Sequence, residues 1–344
     1  MLRRSQTTPL LASALAPLPV VLAALALDGT DLATRYSTDR AFTVAVETTS
    51  TTEVLSRELL RDGEPVDRGG RGGGGDSSRT VSYEYTDTPL EAEDGRPSQV
   101  RRAFGSIGGA TSFEMRGEEI ERAVESAFED LVVVLTDDDG DVEIEVVDGS
   151  GPDDESRLDG HRLTLPLDAL APPDEVEVGD SWDLEDGALS AALGLDVAAK
   201  LIDRPERPEG GEGRGRGGRG QGGGGGGSGS LASAEWTGTA TYTDRTEDVE
   251  GLTCVVIEID AEVEGDEELG EGSGSRTTSG RFEGELLWCL AEERPVKLEF
   301  DGEVETDTSA QFESRRGSMQ MSSSQRTRME FIVEIGAEAA ESND

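Results

Sequence analysis

Along most of the chain apolar residues recur at every second position. "MEFIVEI" sets Met329, Phe331, Val333 and Ile335 on one face and largely acidic residues on the other. "AFTVAV" does the same with Phe42, Val44 and Val46, and "RTVSYEY" with Val81, Tyr83 and Tyr85. Alternation with a period of two is the mark of an antiparallel sheet with one wet face. "EWTGTATYTDR", "LTCVVIEIDAEVEG", "GRFEGELLWCL" and "PVKLEFDGEVETD" continue the series, rich in Val, Thr and aromatics. The expected fold is mainly β: one or more large curved antiparallel sheets, one or two short helices, and disordered glycine-rich loops.

Helical spacing is rare. Residues 117–131 place Ile120, Val124, Ala127, Phe128 and Leu131 at i, i+3, i+4 steps behind acids, which predicts a helix there. Ala188 to Leu201 is a weaker second candidate. Asp-Gly pairs at Asp62, Asp94, Asp139, Asp148, Asp159, Asp186 and Asp301 predict tight turns, because both residues tolerate positive φ.

These elements divide the chain. Residues 1–26 read as a signal peptide, with Arg3 and Arg4 ahead of an uncharged run from Leu10 to Leu27 and a small-x-small site at Ala24-Leu25-Ala26. An uncleaved anchor is the alternative, which Pro17 and Pro19 weaken by breaking a helix. No later segment is apolar enough to span a bilayer. Residues 27–39 are expected to be flexible. A β portion follows over 40–204, interrupted by a disordered loop at 66–78. A disordered Gly/Arg insertion takes 205–231, a second β portion 232–338, and a tail 339–344.

Composition sharpens the picture. With 34% apolar and 4% aromatic residues the core must be lean, and the net charge is −43. That field repels nucleic acid and attracts cations or basic partners. High-salt adaptation and plain solubility both account for the acidity. "GEGRGRGGRGQGGGGGGSGS" (211–230) holds G-x-G-x-x-G spacing, but prolines precede it and no helix pattern follows, so it reads as slack and not as a nucleotide loop. No aromatic lies between Trp182 and Trp236 to stack on bases, so nucleic acid is not an expected partner.

Candidate chemistry is thin. "TDDDGDVEIE" offers Asp137, Asp139 and Asp141 to a divalent cation, but an EF-hand alignment fails with Leu135 and Val146 at its ends; a hairpin turn explains the acids better. His161 is the only histidine and follows an Asp-Gly turn, which predicts a solvated loop residue. No Ser-His-Asp set or nucleophile elbow can be assembled. No cofactor and no enzymatic activity are therefore expected. Cys254 and Cys289, both in strand-like segments, make either one disulfide or two buried thiols; an exported chain favours the disulfide.

The segment "LPLDALAPPDEVEVGDSW", followed later by "GLTCVVIEI" and "GRFEGELLW", resembles a family of exported bacterial β-sheet proteins that share Val-Gly-Asp-Ser-Trp, here Val178 to Trp182. The likeness covers roughly residues 130–305. It implies no catalytic residues, and it implies a curved antiparallel sheet similar to periplasmic lipoprotein-carrier half-barrels, whose concave face holds acyl chains. A hydrophobic small molecule would then lie against Val44, Tyr83, Ile257, Phe282 and Phe331, with Trp182 as a further lining residue. The alternative is an acidic envelope protein that binds cations or a basic partner.

Overall fold

The computed structural model describes residues 29–66, 76–115, 118–202, 231–269, 274–314 and 317–340. The signal-peptide segment, residues 67–75 of the first loop and all but Leu231 of the Arg-Gly stretch's surroundings at 203–231 lie outside them.

The chain forms one open antiparallel sheet of 13 strands. The first group is β1 (Arg40–Arg61), β2 (Glu64–Pro65), β3 (Ser77–Glu93), β4 (Arg96–Met115), β5 (Glu118–Ala123), β6 (Val132–Asp138) and β7 (Asp141–Asp148). The second is β8 (Ser181–Asp183), β9 (Glu235–Val249), β10 (Leu252–Glu268), β11 (Gly274–Cys289), β12 (Arg294–Ser314) and β13 (Gly317–Ala339). The order across the sheet is β7-β6-β4-β3-β1-β13-β12-β11-β10-β9-β8, with β2 beside β1 and β5 beside β4. The two β portions are thus one sheet, joined where β1 pairs with β13 from Arg40–Ala339 to Arg61–Met319. At one edge β7 carries Asp141, Glu143, Glu145 and Asp148, charges that discourage pairing with another chain.

Alternation decides the two faces. Phe42, Val44, Val46, Tyr83, Tyr85, Ile257, Ile259, Leu298, Phe300, Phe331, Val333 and Ile335 all point inward and are buried. Two short helices, α1 (Ala188–Ala192) and α2 (Leu195–Leu201), pack on this inner face together with 3-10 turns at Glu155–Leu158 and Pro166–Leu170. The Ala188–Leu201 helix of the sequence reading exists, but breaks at Gly194, whose φ of 60° suits glycine and whose carbonyl accepts from the Tyr83 hydroxyl at 3.5 Å.

Four expectations are corrected. Residues 118–123 are β5, not helix: β4 extends far enough to pair Thr111 with Arg122 and Phe113 with Ile120, so strand pairing overrides the helical spacing. Only the turn after it sends Phe128 and Leu131 into the core. Residues 29–36 are not a flexible leader, since Thr30 bridges Val176 and Leu32 and Tyr36 are buried. Asp301-Gly302 is no turn; it lies inside β12, where the missing side chain of Gly302 leaves room for the Phe282 ring. The β9–β10 turn is made instead by Glu250 and Gly251, both at positive φ. His161 is not solvated, as the site geometry explains.

Candidate functional site

The inner face has two halves. Near the cover of residues 29–36 and 155–202 it is a dry core. Trp236, Phe282, Phe300 and Phe331 meet there, with ring centroids 5.1 to 6.2 Å apart between Phe282 and each of the other three. Val44, Tyr83, Ile257, Phe282 and Phe331 share this face, yet each is at most 4% exposed because the chain's own Leu163, Leu165, Leu167, Leu170, Leu189 and Leu193 lie over the sheet. Trp182 sits half-buried on β8 with its Nε1 donating to the Leu170 carbonyl at 3.2 Å.

Two buried polar clusters pin this cover down. In the first, Arg102 of β4 forks onto Asp87 of β3 with two bonds of 2.7 Å, donates to the Arg162 carbonyl at 3.0 Å, and reaches His161 Nδ1 at 2.9 Å. Its guanidinium also lies 4.1 Å from the Tyr85 ring centroid. Burial works against the Arg102 charge, but Asp87 outweighs it and holds the guanidinium above its usual range. His161 accepts from Arg102 and stays neutral, its pKa driven down to about 3 by burial first and by Arg102 and Lys200 next. In the second cluster, Asp168 accepts from Thr34 Oγ1 at 2.5 Å and from the Tyr36 hydroxyl, which itself accepts from the Leu165 amide at 2.6 Å. Burial pushes the Asp168 carboxyl up to about 6 against these hydrogen bonds. At the end of α2, Arg157 donates to the Lys200 and Leu201 carbonyls and Ser126 to that of Leu201, satisfying groups that a helix leaves orphaned.

Beyond Thr278, Val304 and Thr327 the cover stops and the strands run on. Inner-face side chains there are partly or fully exposed, Met319 excepted. Register places Leu59, Ala310, Met321 and Phe312 on this open stretch, with Phe113 and Ile120 on its β4–β5 side. A bulge between Val54 and Ser56 shifts the phase of β1, so that Arg57, Leu59 and Arg61 take the inner face. Arg57 reaches Met321 Sδ at 3.9 Å and Arg61 reaches Met319 Sδ at 3.5 Å. Arg79 lies opposite Ser50 and Thr111 on the same face, and Arg122 stacks over Phe113 at 5.2 Å.

The outer face differs. Charge ladders cross it, with Arg281 on Glu262, Arg328 on Glu303, Arg326 on Glu305, and Arg245 on Glu258 and Glu285. Glu264, Asp266 and Glu268 stand exposed beside them. Cys254 and Cys289 lie directly opposite each other on β10 and β11, Cα atoms 4.1 Å apart, at disulfide distance, within a small outer cluster of Val256, Leu287 and Val296. Asp137, Asp139 and Asp141 fall at the β6–β7 hairpin, where Asp137 Oδ1 accepts from the Gly140 amide at 2.9 Å and Asp139 takes φ 53°. Among the described residues no group of three or more His, Cys, Asp or Glu side chains is arranged to hold a metal. No described helix is long and apolar enough to cross a membrane.

No family model and no curated protein matches the sequence. Among solved structures, one titled for lipid–protein interactions in lipovitellin aligns over 90% of this chain and 26% of its own, with 6% identity and a TM-score of 0.35. The chain therefore spans about a quarter of that protein. A Pseudomonas aeruginosa FadL homologue aligns over 88% and 90% with 7% identity and a TM-score of 0.17. At those scores neither likeness carries an argument.

Proposed function

We propose that this is an exported, non-enzymatic binding module that holds a hydrophobic molecule on the open half of its inner face. The observation that carries the reading is a second apolar patch on the inner face: past Thr306, Thr308, Ser323 and Gln325, beyond the cover, Leu59, Ala310, Phe312 and Met321 lie partly or fully exposed. Exposed apolar surface gathered in one patch is where ligands or partners gain most from burial. The non-enzymatic part is supported by His161, which is buried, neutral and committed to Arg102. Native mass spectrometry of the protein purified from its own envelope fraction tests this. A stoichiometric apolar adduct is expected; a bare protein that also fails to enhance an apolar fluorescent probe would overturn it.

A second reading, counter-ion or basic-partner binding by the outer face, is favoured by the exposed Glu264, Asp266 and Glu268. Thermal stabilisation by millimolar calcium, undiminished when these three are kept but the inner face is altered, is its expected sign.

A further inference from the structure

In a chain of net charge −43 the open half of the inner face is basic. The register assigns it Arg57, Arg61, Arg79, Arg122 and Arg276 against three strand acids among the described residues, Glu64 opposite Arg61, Glu118 and Glu267. Arg276 is taken by Glu267 at 3.0 Å. The acids at the neighbouring turns are committed to backbone: Asp62 Oδ1 accepts from the Ser318 amide and Asp76 Oδ1 from that of Val54. The outer face of the same strands instead carries Glu53, Glu58, Glu114, Glu119, Glu121, Asp307 and more. Charge is thus sorted by face, with cations on the side that also bears Met321, Phe113 and Phe312.

We propose that the ligand of this surface is an anionic phospholipid molecule, its acyl chains along Met321, Phe312 and Leu59 and its phosphate held by Arg57 and Arg61, with Arg79 and Arg122 at the β3–β5 side. The inference rests on the binding-module reading above and gives it a ligand class. Guanidinium forks match phosphate oxygens, and methionine adapts to chains of varied shape. An acidic peptide would suit the arginines but leave the thioether and aromatic floor unused. The chain's own arginine-glycine segment would be repelled. The outer acids do not cancel the attraction: they lie across the sheet and are screened with a Debye length of ~8 Å in physiological salt, so a phosphate at the inner face sees the nearer arginines.

The test uses the full mature chain and two short-chain lipids with the same acyl groups, diheptanoyl phosphatidylglycerol and diheptanoyl phosphatidylcholine, titrated by calorimetry below their aggregation limits. The glycerol lipid is expected to bind about tenfold or more tighter, because the choline lipid brings its own quaternary ammonium beside the arginines. Arg57→Gln with Arg61→Gln should reduce it to the choline lipid's affinity without moving the melting temperature. Arg281→Gln on the outer face should change nothing. Equal affinity for both lipids, or a double variant that still prefers the glycerol lipid, overturns the charge assignment while leaving the binding module intact. Failure of both lipids to bind overturns the two together.

Discussion

The covered and open halves of the inner face are built from the same strands with the same alternation, yet they have opposite physics. Under the cover, Phe331 and Leu298 meet leucines supplied by residues 155–202 and lose all contact with water. A few residues further along β12 and β13, the same phase carries Thr308, Ala310 and Met321, with Arg57 and Arg61 beside them on β1, and no described element lies over them. Long strands need not be uniformly buried; what a strand position does depends on whether another segment reaches it.

Substitutions should separate the halves. The largest effect belongs to Arg102→Met, which leaves the Asp87 carboxylate buried without its partner; a loss of about 3–5 kcal/mol is expected in urea unfolding. Leu167→Ala in the cover should cost about 2–5 kcal/mol through the cavity it opens. Next comes the Cys254–Cys289 link, which closes a 35-residue separation and lies on the covered stretch of the strands: Cys254→Ala with Cys289→Ala should cost about 3 kcal/mol by the same assay.

The two polar clusters respond to acid in opposite directions. Asp168 is raised in the folded protein to about 6, so its contribution is present below the ordinary carboxylate range and fades as pH rises through 6. His161 is depressed to about 3, so its contribution is present above about pH 6.5 and is lost as pH falls towards 3. Relative to the parent, Asp168→Asn should therefore weaken as pH falls from 6.5 to 4, and His161→Gln should gain. Each divergence should approach about 1.4 kcal/mol per pH unit, and parallel curves would refute the assignment. The smallest effect is Leu59→Ala on the open half, under about 1 kcal/mol, since it is already half in water.

The alternation along β1, β3, β10 and β13 made the sheet and its inner residues legible, and the spacing of Cys254 and Cys289 in strand-like segments was compatible with their meeting. Local pattern could not show the cover, because that depends on segments far apart in the chain: His161 meets Arg102, and Thr34 and Tyr36 meet Asp168. The basic surface stayed hidden for a narrower reason. Parity read forward from Phe42 puts Arg57 and Arg61 with the outer residues, and only the extra residue at the Val54–Ser56 bulge reverses it. Helical spacing at 117–131 misled because an edge strand's fate is set by how far its neighbour extends.

The small off-path strands β2 and β5 aside, every pair of neighbours in the sheet is also consecutive in the chain except β1 and β13. That one ladder ties residue 40 to residue 339, so each wing of hairpins can assemble early while the ladder between them waits for nearly the whole chain. The centre of the finished sheet is therefore the last part to be made. Until β13 arrives, β1 and β12 each present an open edge, and a chain shortened before Gly317 should aggregate rather than fold.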